Sequence, residues 1–425
     1  MIYFIYSVKK GEIMNVGSII KYYRTKNDLT QSQLAEGICS ISHLSKTESN
    51  AYSPHESTIK ALLLKMGVQL NKEMEKHKQL ERTIGQFIDC SLHYDLETMR
   101  RIYKQLEREN DYIQSTDLVN QYELYKFRFY IYDHNLTKAE QQKKLLERMK
   151  ASFLAPEHWV HQFFQSLYFS MVGNNIKSFE FLNKMDIGIQ SIPQKFEGEF
   201  YYQKARMLVL ADRYELSAHF AELAVQSFQL HHNYIRLLHA QMLLAINYTR
   251  RNLLVQAESL YEVLIRNTHL TNQTALHNQT LYNYTELLRM KHAHGEALVI
   301  LQSLKEAVER DTYFYKAVLT SLLESMMETG QDPSIHIEEL KAISTKPEDK
   351  FFHIYANYFE KRNFSQPDLM TYCEDIMFQF FRNNGYIKET RNVAAELARH
   401  YSKQQRWEKA YFYQSFWNEN GGELN

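Results

Sequence analysis

Apolar residues recur at i, i+3 and i+4 through almost the whole chain, in segments otherwise filled by Leu, Gln, Glu, Lys and Ala. Glycine and proline, which interrupt helices, number only 13 and 6. The pattern predicts an all-α protein. Within it, residues 14–70 differ from the remainder. The run Thr30-Gln-Ser-Gln-Leu-Ala-Glu-Gly-Ile-Cys-Ser-Ile-Ser-His-Leu-Ser-Lys-Thr-Glu48 places a capping Thr30 before a short helix and Gly37 where a left-handed turn would end it. A second short helix then opens near Ser40. Leu34, Ala35, Ile38 and Leu44 fall where the two helices must cross, and Ala35 is small enough for the close approach of a helix-turn-helix. Ile19, Ile20 and Tyr23 before the run, and Ile59, Leu62, Leu63 and Met66 after it, supply flanking amphipathic helices, about five helices in all.

On this reading the second helix exposes Ser40, Ser42, His43 and Lys46 toward base edges or phosphates, and Gln31 touches the DNA backbone from the start of the preceding helix. The residues expected to contact DNA are Gln31, Ser42, His43 and Lys46. The competing reading makes each of them part of a solvated helix face. Residues 1–13 carry no helical pattern and are an N-terminal extension without assigned function. Residues 71–84, rich in charge, are expected to be a helical linker, or equally the first helix of the next domain.

From residue 85 to 425 the chain repeats. A small residue follows successive helix-to-helix turns at Ala139, Ser178, Ala218, Ala257 and Ala297, at spacings of 39, 40, 39 and 40. Weaker positions at Met99, Ile337, Met370 and Ala410 extend the series to about nine units. A period near 40 exceeds the tetratricopeptide length of about 34 and overlaps HEAT repeats. The run from Leu281 to Leu298 nevertheless has the helix, short turn and small residue of a lengthened tetratricopeptide unit. Stacked pairs of this kind build a right-handed superhelix whose first helices line a concave face.

Such a face suits an extended peptide, whose backbone needs side chains able to donate and accept together. Asn283 lies fourteen residues before Ala297, where tetratricopeptide clamps commonly meet peptide backbone. Asn247 and Arg128 also sit on first helices, Arg128 offering a charge-assisted fork to a carboxylate, and Tyr282 can flank Asn283 with an apolar face. The peptide-binding expectation is therefore Arg128, Asn247, Tyr282 and Asn283. Against it stands a structural role, with asparagine bonded to the neighbouring repeat. Aromatic residues at helical spacing, as in Tyr122, Tyr125, Phe129 and Tyr132, are expected to pack between repeats.

Composition narrows these possibilities. Fifty basic residues balance fifty acidic ones over 425 residues, so no global field draws the chain to nucleic acid. Residues 14–70 hold six Lys or Arg against four Asp or Glu, a weak hold on DNA that makes dimerisation on a two-fold operator necessary. Cys39, Cys90 and Cys373 are too scattered for a disulfide framework and suit a reducing cytoplasm. No apolar run reaches the roughly 18 residues that span a bilayer. The glycines form neither GxGxxG nor GxxxxGK[ST], and His158 and His161, one turn apart, have no third ligand nearby. No catalytic residue, cofactor, metal or membrane partner is expected.

The segment LTQSQLAEGI followed by LSKTES resembles the phage-repressor type of DNA-binding domain, and departs from it at Thr47, where an aliphatic residue is usual. Together with the repeat array it resembles the Rap/Rgg/NprR/PlcR group of peptide-regulated quorum-sensing proteins, on the NprR-like side. That resemblance implies a cytoplasmic transcriptional regulator. A short re-imported signalling peptide would change its homo-oligomeric state, from dimer toward tetramer, and switch on transcription of extracellular protease genes from double-stranded operator DNA. It also implies a second role, the peptide-free sequestration of a sporulation phosphorelay response regulator.

Overall fold

A computed structural model describes residues 16–186 and 192–418, and these contain helices but no strand. The extension 1–13 lies outside the described residues, as do the first two positions of the expected DNA-binding segment. The chain divides into two compact units, 1–196 and 197–425.

Unit 1 opens with α1 (Val16–Lys26), α2 (Gln31–Ala35), α3 (Ile41–Glu48) and α4 (Glu56–Lys65). Thr30 caps α2 in a reciprocal box with Gln33, Gly37 turns the chain at φ +75°, and Ser40 caps α3. Each local signal does what the sequence demanded. The helices enclose Val16, Ile20, Leu34, Ala35, Leu44, Ile59, Leu62 and Leu63. Thr47 is buried with them, and its hydroxyl donates to the His43 carbonyl at 3.0 Å, so a polar side chain is satisfied within its own helix where an aliphatic one is usual.

The fifth helix, α5 (Leu70–His93), runs without interruption through the stretch expected as a linker. Leu80 and Ile84 face inward, and Glu73 is buried, accepting from Tyr23 Oη at 2.8 Å and Tyr112 Oη at 2.5 Å. Residues 71–84 are thus anchored helix, because Glu73, Leu80 and Ile84 fall on one buried side, while Met74 stays exposed. Unit 1 continues with α6 (Leu96–Arg108), α7 (Asn110–Ile113), α8 (Val119–Tyr132), α9 (Leu136–Met149), α10 (Ala155–Met171) and α11 (Asn175–Asp186). Phe87 of α5 packs on Tyr122 and Phe129 of α8, and Tyr125 packs on Phe164 of α10.

Unit 2 comprises α12 (Glu197–Leu210), α13 (Tyr214–Leu230), α14 (Tyr234–Arg250), α15 (Leu254–Leu270), α16 (Thr274–Met290), α17 (His294–Ala307), α18 (Tyr313–Glu328) and α19 (Ser334–Ile343), then α20 (Lys350–Asn363), α21 (Leu369–Tyr372), α22 (Gln379–Asn383), α23 (Ile387–Lys403) and α24 (Trp407–Asn418). A π turn, Cys373–Phe378, joins α21 to α22. Counting from α5, the described residues form nine helix pairs, the repeat array that the 40-residue period predicts.

The repeat has a backbone cause. The turn inside each pair contains a residue of positive φ: Tyr94, His134, Gly173, Asp212, Asn252, His292, Gly330, Ser365 and Gln405. Asn, Asp and His tolerate the left-handed region better than most residues, which lets a glycine-poor chain make these turns. Five residues after the turn residue come Met99, Ala139, Ser178, Ala257, Ala297, Met370 and Ala410, and six after it comes Ala218. Ala139, Ala218, Ala257 and Ala297 are at most 2 % exposed, because the second helix crosses the first there. Ser178 and Ser217 at this crossing donate back to first-helix carbonyls, Ser166 O and Ala205 O, both at 2.8 Å. In unit 2 the first helices also pack directly on one another, α12 on α14, α14 on α16 and α18 on α20, which makes them the inner layer of that unit.

Candidate functional site

The DNA-facing candidates depend on how α3 is held. Gly17 of α1 lies so close to α3 that a Cβ there would sit 1.8 Å from Thr47 O. On the next turn of contact, Arg24 forks onto Glu48, with Nε at 2.6 Å from Oε1 and Nη2 at 3.0 Å from Oε2. Its remaining Nη1 donates to Leu29 O at 2.7 Å. Glu48 is buried, and its carboxylate holds the Arg24 guanidinium above its ordinary range, outweighing desolvation. This pair locks the recognition helix to its scaffold.

Ser42 and Lys46 lie exposed on α3, as expected of groups that meet DNA. His43 and Gln31 do not match that expectation. The His43 ring stands edge-on to Tyr52 with centroids 4.6 Å apart, and its Nε2 has neither accessible surface nor a hydrogen-bond partner. The cause is helical phase, since His43 shares a side with buried Thr47 one turn later. Gln31 donates from Nε2 to Glu48 Oε2 at 2.8 Å, so its amide is committed to the Arg24–Glu48 pair. Ile41, 51 % exposed in the first turn of α3, and exposed Ser45 complete the outward face and were not expected there. An apolar Ile41 can contact a thymine methyl in a major groove. Its position one turn before Ser45 was the available signal.

On the repeat side, Asn247 and Asn283 sit on inner helices α14 and α16. Asn247 is fully buried, its Nδ2 donating to Leu243 O at 2.9 Å while Oδ1 has no partner. Asn283 is half-buried, and its Nδ2 is inaccessible and unpartnered. Gln203 on α12, buried and not anticipated, likewise has an unpartnered Nε2. It stands two repeat lengths before Asn283 in the same register, a relation visible in the sequence once the period is known. Tyr282 packs edge-on against Phe314 at 5.5 Å and accepts from Ser321 Oγ at 3.3 Å, so it ties α16 to α18. Burial raises its phenol to about 12.

Arg128 was expected to be an open fork for a carboxylate and is instead fully buried in unit 1. Its Nη2 donates to Ser91 O at 2.9 Å and Tyr132 Oη at 2.8 Å, and the guanidinium lies over the rings of Tyr132 and Phe164. The aromatic residues that pack α8 against its neighbours enclose it. Beside it Lys195, half-buried over the Tyr125 and Phe196 rings, is lowered to about 8 by burial and by Arg128. Among the described residues no set of three or more His, Cys, Asp or Glu could hold a metal ion, and no helix is long and apolar enough to cross a membrane.

Residues 20–72 match the family model HTH_3, helix-turn-helix. Over 393 residues, 89 % of this chain and 96 % of the relative, the sequence is 20 % identical to the transcriptional activator NprA of Geobacillus stearothermophilus. The fold is that of the quorum sensor NprR from B. thuringiensis. The apo form aligns at TM-score 0.64 and 17 % identity, covering 80 % of this chain and 97 % of that one. NprR in complex with its cognate peptide NprX aligns at TM-score 0.62 and 17 % identity, covering 79 % and 96 %. A Rap protein complexed with competence and sporulation factor aligns at TM-score 0.68 and 12 % identity, covering 80 % and 97 %. The chain thus carries a helix-turn-helix at residues 20–72, resembles the transcriptional activator NprA along nearly its whole sequence, and shares the fold of NprR and of a Rap protein.

Proposed function

We propose that the chain is a cytoplasmic, peptide-regulated transcriptional regulator. Residues 14–70 read double-stranded operator DNA through Ile41, Ser42, Ser45 and Lys46, and the repeats from 85 onward bind a short peptide. The observation that carries the peptide reading is Asn283, half-buried on the inner helix α16 with an Nδ2 that has no partner. A buried polar atom left unpaired costs about 1–3 kcal/mol, and an extended peptide backbone supplies the matching donors and acceptors. The likeness to NprR, solved with its cognate peptide, supports the same reading. The peptide acts by binding one arrangement of the homo-oligomer better than another, and a 100-fold preference is worth about 2.7 kcal/mol.

The test is a titration of the purified protein with synthetic short peptides, the NprR peptide NprX among them, following mass and promoter-DNA binding together. A peptide-dependent change in both is expected, and a peptide that binds without altering either would overturn the switch.

A second role, peptide-free sequestration of a phosphorelay response regulator, is favoured by one feature of unit 1. Arg100, Arg101, Lys104 and Arg108 line one face of α6 around a groove, with Glu97 and Gln105. A basic helix face suits an acidic protein partner. Capture of a response regulator by the peptide-free form, lost on reversing Arg101 and Lys104 to Glu, would support it.

A further inference from the structure

In a repeat array each helix pair touches its immediate neighbours, so contacts recur at about one repeat of sequence separation. Two ion pairs inside unit 2 break that rule. Lys388, in the first turn of α23, donates from Nζ to Glu286 Oε1 on α16 at 2.6 Å, across 102 residues. Arg391, one turn along the same face, donates from Nη1 to Asp212 Oδ2 at 2.6 Å, across 179 residues. Both acceptors are held from a second side. Arg250 of α14 donates to Glu286 Oε2 at 2.8 Å, and Tyr214 Oη donates to Asp212 Oδ1 at 2.5 Å.

The last helix pair thus reaches back past two intervening pairs to Glu286 on the inner helix α16, one turn from Asn283, and past four to Asp212 in the turn between α12 and α13. These carboxylates are sheltered, Asp212 at 8 % and Glu286 at 26 % side-chain exposure, so solvent and salt screen the pairs less than surface ones. Meanwhile Val393, Ala394 and Leu397 bury the apolar side of α23 in the core it shares with nearby helices. The ties described across the longer interval are ionic. Such ties can part and re-form without unpacking a core, which apolar contacts cannot do.

We infer that Lys388 and Arg391 form a latch by which the last helix pair gates access to the inner face around Asn283. The inference rests on the peptide-site reading of that face. With the latch closed, a ligand enters and leaves only during openings. Weakening the latch raises the open fraction, so association and dissociation accelerate together while affinity changes less.

The test uses the full chain with Lys388→Gln, Arg391→Gln and the double substitution. In the absence of any ligand, hydrogen exchange of α16 amides should accelerate about ten-fold in the double variant, and its radius of gyration by X-ray scattering should increase. Association of a fluorescent synthetic peptide selected by the titration above should accelerate by a similar factor, and Lys388→Arg should retain parental rates. Unchanged exchange and scattering in a folded double variant would overturn the latch. If the double variant does not fold, Arg391→Gln alone, whose partner Asp212 lies in a turn, decides by the same ligand-free measurements. A peptide that binds neither parent nor variant would count against the peptide-site reading, while the ligand-free data still decide the latch.

Discussion

Gly17→Ala puts two opposed effects where α1 closely approaches the backbone of α3. Alanine is favoured over glycine inside a helix by about 1 kcal/mol, so on local grounds the substitution stabilises α1. The tertiary structure reverses the sign. A Cβ at residue 17 falls 1.8 Å from Thr47 O, 2.6 Å from Asn50 Oδ1 and 2.9 Å from Thr47 C, when contacts under 3.0 Å are essentially not found. Asn50 can swing aside at the loss of its 2.8 Å bond to Ser18 Oγ, but Thr47 O is backbone and accepts from Asn50 N at the end of α3. The helices must therefore separate by more than an ångström. Overpacking of this kind costs about 1–3 kcal/mol, and the displaced element is the one that faces DNA. The expected net result is a domain less stable by about 1–2 kcal/mol, with operator affinity reduced at least ten-fold. Hydrogen exchange of α1–α4 in the full chain, with anisotropy of labelled operator DNA, measures both. A Gly17→Ala protein with slower exchange and parental DNA affinity would refute the reasoning.

Lys46→Ala should weaken DNA binding across sequences and reduce the slope of log affinity against log salt by about 1, read from a salt series. Asn283→Ala should leave the peptide-free protein as stable or more so, because an unpartnered buried donor disappears, yet weaken peptide binding by about ten-fold or more in calorimetry. Glu73→Ala removes the acceptor shared by Tyr23 and Tyr112, and hydrogen bonds to a buried carboxylate are worth about 1.5–3 kcal/mol each, so exchange in α1 and α7 should accelerate together. Glu286 supplies a pH dependence. Burial alone would raise its carboxyl, but Lys388 and Arg250 outweigh burial and lower it from 4.5 to about 2. A depressed carboxyl contributes stability that is complete above the unfolded value and lost as pH falls through the folded one. Exchange in α16 should therefore be flat above pH 5 and accelerate between about pH 4.5 and 2, a response that Glu286→Gln removes.

What the sequence determined by itself is the part of the protein written in short windows. Thr30, Gly37 and Ser40 each act through their own or the next few backbone groups, so the helix-turn-helix is legible without tertiary information. The repeats are legible for the same reason, since a left-handed turn residue and the small residue five or six positions later are a local pair. The tertiary structure decided the fate of the long side chains. Gln31 belongs to Glu48, seventeen residues away, and Arg128 to the Ser91 carbonyl and a set of rings, partners that helical period places on a face but does not name. The ties from α23 to Glu286 and Asp212 are the extreme case. They depend on small rotations accumulated over several helix pairs, and no window of sequence shorter than that interval contains them.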